Sequence, residues 1–538
     1  MRKQTACVQF ATLLLVVTLT ACGDSRDSAP SQLTGQVRLA SSTTPATTHF
    51  AASRFLEQAS MGPSPDSVAR VRQLGIEGWV DAQFRLPAST ITTPENLISY
   101  ELDLDKPTGQ RADNAFKFNI ENLFWTTEDQ LRARTTWVLT NFLVISREKI
   151  FPYGVAEYIN TVQNLAFGKY GDLLRAITVS PAMGRYLDNN QNDKFNLNEN
   201  YARELMQLFS VGLVQLNIDG TAKRDAAGKP IETYSQADVV TATRILTGWR
   251  SAPRTSSLKN DSNSQNFGYP MEAREDLHDT EEKRLYGTVI PAGQTTAQDL
   301  NSLIDILVRH PNTAPFVAIR LIQGMTTSDP SPAYISRVAT VFKNTQGDLQ
   351  KVIKAVLMDP EARAGDVPGG SSSAFGRIKE PYLVGTSILR ALECRQAGTP
   401  NAPLEVWHGQ RALWAPSVFG FYPPNHKAPS SKLLAPEQKM LTSKEFRDRA
   451  GNWGWRLENS QSNEFAEAGC NLELFSQAAA TSDSEILDLI NQRLFRGVMP
   501  AVVRQALVQS IDWNNGPLDR VGKMIEMAQL TPAFGVSK

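Results

Sequence analysis

Apolar positions recur at helical spacing along most of the chain. Leu349, Val352, Ile353, Val356 and Leu357 fall at i, i+3, i+4, i+7 and i+8, which places them on one face of a helix. Leu300, Leu303, Ile304 and Leu307 form a second stripe, and Leu131, Thr135, Val138, Phe142 and Ile145 a third. Thr126, three residues before Asp129, supplies an N-cap arrangement for that third helix. Helical patterns also run from Asp172 to Leu187, from Glu199 to Gly212, and from Ala314 to Met325 with Asn312 or Thr313 as cap. Strict alternation is scarce. Short pairings are expected near 214–234 and 285–290, with Gly220 and Gly228 as turn residues. The pattern predicts a mainly α, multi-helical globular protein of two packed lobes, with long loops and at most short β-hairpins.

Two polar stretches interrupt the helices. Residues 250–267 are rich in Ser and Asn, and residues 364–374 read as a linker or crossing loop. The expected organisation is a signal peptide over 1–21, a Ser/Thr-rich tether over 22–48, a helical lobe over 49–363, the 364–374 linker, and a second helical lobe over 375–538. The folded part exceeds the ~250–300 residues at which a single core usually stops growing, which favours more than one lobe.

The N-terminus changes the picture most. Arg2 and Lys3 precede an apolar run from Phe10 to Leu19, which ends in Leu19-Thr20-Ala21-Cys22. A basic start, a short apolar core and small residues before a cysteine are the marks of a lipoprotein signal peptide. The apolar run is short of the ~20 residues a spanning helix needs. Cys22 is then the lipidated first residue of a protein anchored in the cell envelope outside the cytoplasm, and Gly23 after it is compatible with the outer membrane of a Gram-negative cell. Lys+Arg and Asp+Glu number 55 each, and loss of Arg2 and Lys3 leaves 53 against 55. No basic excess remains to attract nucleic acid. Cys7 leaves with the signal peptide, so Cys394 and Cys470 remain as a disulfide in an oxidising compartment, or as two buried thiols.

The segment Asp188 to Glu204 carries the most specific internal pattern. Counting from Asp188, oxygen side chains fall at positions 1 (Asp188), 3 (Asn190), 5 (Asn192), 9 (Asn196) and 12 (Glu199), the ligand spacing of a calcium loop. Position 6, usually Gly, is Asp193. The competing reading is an Asn-rich turn in which Asn198 caps the helix starting at Glu199. Glu199, Glu204, Asp238, His278, Asp279 and His310 are the candidates for acid–base or metal chemistry, although no HExxH-type spacing joins them. There is no nucleophile elbow, P-loop or dinucleotide fingerprint. Trp407, Trp414, Phe421 and Tyr422 lie among prolines and read as a stacking surface for a sugar or peptide, or as rings folded into the core.

Asn198-Glu199-Asn200-Tyr201-Ala202-Arg203-Glu204-Leu205 resembles the most recognisable motif of the bacterial domain-of-unknown-function 1800 family. Arg54-Phe55-Leu56 with Gly62-Pro63, Leu246-Thr247-Gly248-Trp249, His278-Asp279 with Lys283 and Gly287, His310 to Ala314, and Pro416 to Gly420 with Tyr422-Pro423-Pro424 follow in that family's order. The resemblance covers residues 50–535. Many members carry histidines after the Trp matching Trp137, where this chain has Val138-Leu139-Thr140-Asn141, so a metal site at that point is not implied. The family has no established activity. Its members are typically exported and often encoded beside a second exported family, which implies an exported partner protein or a glycan. The functional expectation is an envelope lipoprotein acting as an accessory or binding protein with a calcium loop. The alternative is a metal-assisted hydrolase built on Glu199, Glu204, His278, Asp279 and His310.

Overall fold

The helix Gln130–Thr140 shows how this chain builds its core. All eleven of its residues are buried, the polar ones included. It packs against Pro152–Leu165, Thr313–Met325 and Pro65–Phe84. Burying a polar side chain requires a partner for it. Gln130 donates to the carbonyls of Phe124 and Thr127 at 3.2 and 2.8 Å, and Arg134 to the carbonyl of Gly324 at 2.9 Å. The close approach of Thr313–Met325 rests on Gly324, since a Cβ there would sit 2.3 Å from Val138 Cγ1.

The computed structural model describes residues 46–91, 109–253, 266–399, 409–451, 453, 457 and 467–538. The lipobox with Cys22, the signal peptide, most of the tether, Trp407 and most of the 250–267 loop lie outside the described residues. The protein is mainly α, with three two-stranded antiparallel sheets among the described residues. Most stripes read from the sequence form the expected helices: Thr296–Arg309, Thr313–Met325 and Leu349–Met358. The expected pairings form as the hairpin Lys283–Leu285 with Thr288–Ile290, and as the bridges Val214 to Glu232 and Leu216 to Ala222.

Three helices are shorter than their patterns. Gln130–Thr140 ends before Phe142 and Ile145, which are carried on the turn that follows. Its N-cap position is Asp129, whose carboxylate instead accepts from Ser89 N and Oγ at 2.8 and 2.6 Å, while Thr126 belongs to a π-turn. The pattern from Asp172 to Leu187 splits into Tyr170–Thr178 and Pro181–Tyr186, because Pro181 has no N–H to continue the first helix. The third, Asn200–Gln207, stops short of Gly212.

The chain crosses the expected 364–374 boundary within one compact unit, Ala46–Lys538. Arg377–Ile378 pairs antiparallel with Val536–Ser537 at the extreme C-terminus. Glu57 on the first helix, His49–Ala59, binds Lys379 Nζ at 2.9 Å and Arg496 Nη1 at 2.6 Å, and Arg54 binds Asp366 at 2.7 Å. Cys394 and Cys470 form a disulfide across 76 residues. The sequence on both sides of residues 364–374 therefore contributes to one core. No helix among the described residues is long and apolar enough to cross a membrane.

Candidate functional site

The Asp188–Glu204 segment is held by its own hydrogen bonds. Asp188 takes a left-handed conformation (φ 62°) and its carboxylate accepts from Asn200 Nδ2 at 3.1 Å. Asn189–Gln191 forms a 3-10 turn. Asn192 donates to the Thr243 carbonyl at 2.8 Å and accepts from Asn198 N at 3.0 Å. Asp193 turns the chain by accepting from Phe195 N and Asn196 N, both at 2.9 Å, and its other oxygen binds Arg250 at 2.7 Å. Asn196 is exposed. Both Glu199 oxygens are engaged, by Arg203 at 2.8 Å and by Gln236 at 3.0 and 2.9 Å. Asn190 Oδ1 is buried without a partner among the described residues. Asx turns and ion pairs thus use most of the oxygens that a cation would need, Asn190 Oδ1 excepted, and the residues as placed do not fit a calcium ion.

The remaining sequence candidates are dispersed. His278 is fully buried, with Nδ1 2.9 Å from the Thr247 carbonyl and Nε2 3.2 Å from Asp299. Lys283 reaches the same Asp299 carboxylate at 2.8 Å. Asp279 forms a two-point pair with Arg244 at 2.7 and 3.1 Å. Burial works against its charge, but Arg244, the Glu281 N–H and Lys283 outweigh burial and hold the carboxyl below the usual range. Asp238 closes the capping box of Gln236–Ile245. Glu204 is buried with Oε2 unpartnered among the described residues, and burial raises its pKa. His310 packs against Tyr286 with ring centres 4.6 Å apart and planes tilted by 46°, and burial followed by Lys223 lowers its pKa. Among the described residues, no group of three or more His, Cys, Asp and Glu is arranged to hold a metal ion.

A different set of side chains converges on a narrow cavity of about 70 Å³. It lies where Gln130–Thr140, Thr313–Met325, the loop 416–424 and the 3-10 turn Pro436–Met440 meet. Trp137, Val138, Phe142, Leu208, Val418 and Phe419 make apolar walls. The polar side is organised by Arg377, whose side chain is 2% exposed. Its Nη2 binds Glu380 at 3.1 Å and its Nε binds Glu437 at 3.0 Å. Glu380 also accepts from Trp137 Nε1 at 3.1 Å, Gln410 Nε2 at 2.7 Å and the Tyr422 hydroxyl at 3.2 Å. Glu437 accepts from Ser328 Oγ at 2.8 Å.

The two carboxyls are driven apart in pKa. Burial opposes ionisation of Glu380, but Arg377, Gln410, Arg134 and Trp137 together outweigh it and hold the group below its ordinary value. At Glu437 burial wins over Arg377 and Ser328, and the pKa is raised. Burial, with repulsion from Arg377, lowers Arg134 to about 9. Burial lowers Arg320, which lines the cavity, to about 10.

Two lining groups are not saturated. Gln323 donates to the carbonyls of Ser328 at 3.0 Å and Pro424 at 3.2 Å, yet its Oε1 is buried without a partner among the described residues. Arg320 lies over the Phe316 ring at 4.8 Å and has no carboxylate partner among the described residues. Of the expected aromatic surface, Tyr422 is committed to Glu380, Trp414 packs on Phe116 at 6.2 Å, and Phe421 is part-buried. Phe419, beside them, is exposed at the cavity.

A family model matches residues 54–536, nearly the whole chain. The chain belongs to DUF1800, a family of proteins of unknown function. No curated protein and no solved structure matches it. In this DUF1800 member the cavity draws Val418, Phe419, Tyr422 and Pro424 from the late motif that carried the resemblance. Sequence reasoning missed Arg320, Gln323, Arg377, Glu380 and Glu437. Their one local signal is Glu380 just before Pro381, a charged residue at the start of the buried helix Pro381–Ala391.

Proposed function

We propose that this DUF1800 member is an exported envelope lipoprotein, anchored through Cys22, that binds the end or edge of a polyhydroxylated ligand such as a glycan in the Trp137–Glu437 cavity. The carrying observation is the contrast within the cavity lining. Glu380 is filled by four donors, whereas the Gln323 carbonyl oxygen has no partner, and Arg320 has the Phe316 ring but no ion pair or side-chain hydrogen bond, among the described residues. A carboxylate has about four acceptor sites, so Glu380 has no capacity left to take a proton from water. That favours recognition over hydrolysis. Arg320 would donate to ligand oxygens, Gln323 would accept from a ligand hydroxyl, and exposed Phe419 offers a ring for stacking. A cavity of this size takes a terminal group and leaves the rest of a longer ligand outside.

The metal-assisted hydrolase alternative gains no support from the geometry, since Glu199 is committed to Arg203 and Gln236, Asp279 to Arg244, and His278 to the Thr247 carbonyl and the Asp299 carboxylate. The binding reading is tested by titrating the lipid-free protein with a panel of bacterial envelope saccharides while following tryptophan fluorescence. Arg320→Gln and Phe419→Ala should weaken the response, and no response from wild type to any member would contradict the reading. Cys22→Ser should release the protein from membranes, and continued sedimentation with them would contradict the anchor.

A further inference from the structure

A second cavity, of about 390 Å³, lies between the hairpin near residue 220 and the ends of two helices. Its size falls in the range of small-ligand sites, roughly 300–1,000 Å³. Lys223 comes from the hairpin, Arg309 from the last turn of Thr296–Arg309, and Lys343 from the last turn of Pro332–Thr345. No acidic residue among the described residues lines the cavity. Cations at helix C-termini are favoured locally, so position alone explains little. Pairing is more telling.

Nearby basic side chains are neutralised. Arg175 is held by Asp172 at 3.0 Å and by Asp305 at 2.5 Å, and Lys169 by Asp348 at 3.3 Å. Lys223, Arg309 and Lys343 have no ion pair or side-chain hydrogen bond among the described residues. Three uncompensated cations therefore face one concave space. His310 also lines it. Its Nδ1 accepts from Asn312 N at 3.2 Å, which leaves Nε2 as the protonated nitrogen of the neutral ring, a fourth donor. Ile218, Val308 and Phe342 supply apolar wall, so the space is not merely a solvated basic surface.

We propose that this cavity binds a monosaccharide-sized oxyanion ester, a sugar phosphate or sugar sulfate, with Lys223, Arg309 and Lys343 gripping the anionic group. This site is separate from the Trp137–Glu437 cavity and does not depend on the reading of it. The test is calorimetric titration of the lipid-free protein with glucose 6-phosphate and with glucose 6-sulfate. Unesterified glucose and sodium chloride of matched ionic strength serve as controls, and flotation with phosphatidylglycerol vesicles tests a lipid source of the same chemistry. Wild type should give saturable heat with at least one ester and none with glucose. Each of Lys223→Ala, Arg309→Ala and Lys343→Ala should weaken that binding about tenfold, the loss of one charge-assisted hydrogen bond. Arg309 and Lys343 are exposed, so their variants keep the fold, and circular dichroism checks it. No saturable heat with either ester would overturn the proposal. So would unchanged affinity in the triple variant, or binding to vesicles without binding to either ester.

Discussion

The Asp188–Glu204 loop and the Trp137–Glu437 cavity present opposite relations between sequence and site. The loop has a dense local motif with metal-ligand spacing, yet most of its oxygens are spent on turns, amides and two ion pairs, with Asn189 Oδ1, Asn190 Oδ1 and Glu204 Oε2 left unpartnered among the described residues. The cavity has no local motif. It is assembled from residues between Trp137 and Glu437, and it keeps the Gln323 amide oxygen unfilled and the Arg320 guanidinium without an ion pair among the described residues. A run of polar residues close in sequence can satisfy itself, because neighbours reach one another's backbone. Polar groups brought together from distant elements are held by the fold, and one left unfilled there costs stability. An unfilled group is therefore a pointer to a ligand where, as at Gln323, it also lines a cavity.

The comparison breaks first at Arg377. Arg377→Met leaves Glu380 and Glu437 facing each other without their shared cation, in side chains 1% exposed. Loss of one partner of a buried pair costs about 3–5 kcal/mol, measurable by urea unfolding. A cost under about 1 kcal/mol would show that the network is solvated. The double variant Cys394→Ser/Cys470→Ser should lose a similar amount, about 3–5 kcal/mol in the chain-entropy model for a long loop, without altering ligand binding.

The two carboxyls sharpen the comparison through pH. Glu380 has a depressed pKa, so its stabilisation is present above the unfolded value, near 4.5, and is lost as pH falls through the folded value. Glu437 has a raised pKa, so its contribution is full below 4.5 and declines as pH rises through the folded value. Relative to wild type, Glu380→Gln should become more costly as pH rises from acid to neutral, and Glu437→Gln less costly. Parallel pH profiles for the two variants would contradict the split.

The smallest effect belongs to the loop. Glu199 and Arg203 are more than a third exposed, and Glu199→Gln should change stability by less than about 1 kcal/mol. Calcium should not raise the melting temperature of wild type. A calcium-dependent rise abolished by Glu199→Gln would restore the loop as a cation site.

The helical architecture was legible because amphipathic spacing is a local property. Leu349–Met358 and Thr296–Arg309 appear close to where their stripes lie. The Gln130–Thr140 helix was legible as a helix but not as a central, wholly buried one. Its buried arginines and threonines find partners far away in sequence, among them Gln163 and Gly324. The same reason hid the cavity. Glu380 reads as an ordinary surface charge until Arg377, Trp137, Gln410 and Tyr422 are seen around it. The late motif was visible, and Tyr422 within it, but its rings were read as a group, either one stacking surface or folded into the core. In the structure they divide between core, network and rim.

The most direct test sets the two regions against each other in one experiment. The saccharide giving the strongest tryptophan response is titrated against wild type, Arg320→Gln and Glu199→Gln. The account predicts a loss of about tenfold or more in affinity for Arg320→Gln, the worth of one charged hydrogen bond, and wild-type affinity for Glu199→Gln. Wild-type affinity for Arg320→Gln, with binding lost in Glu199→Gln, would contradict it and return the site to the loop.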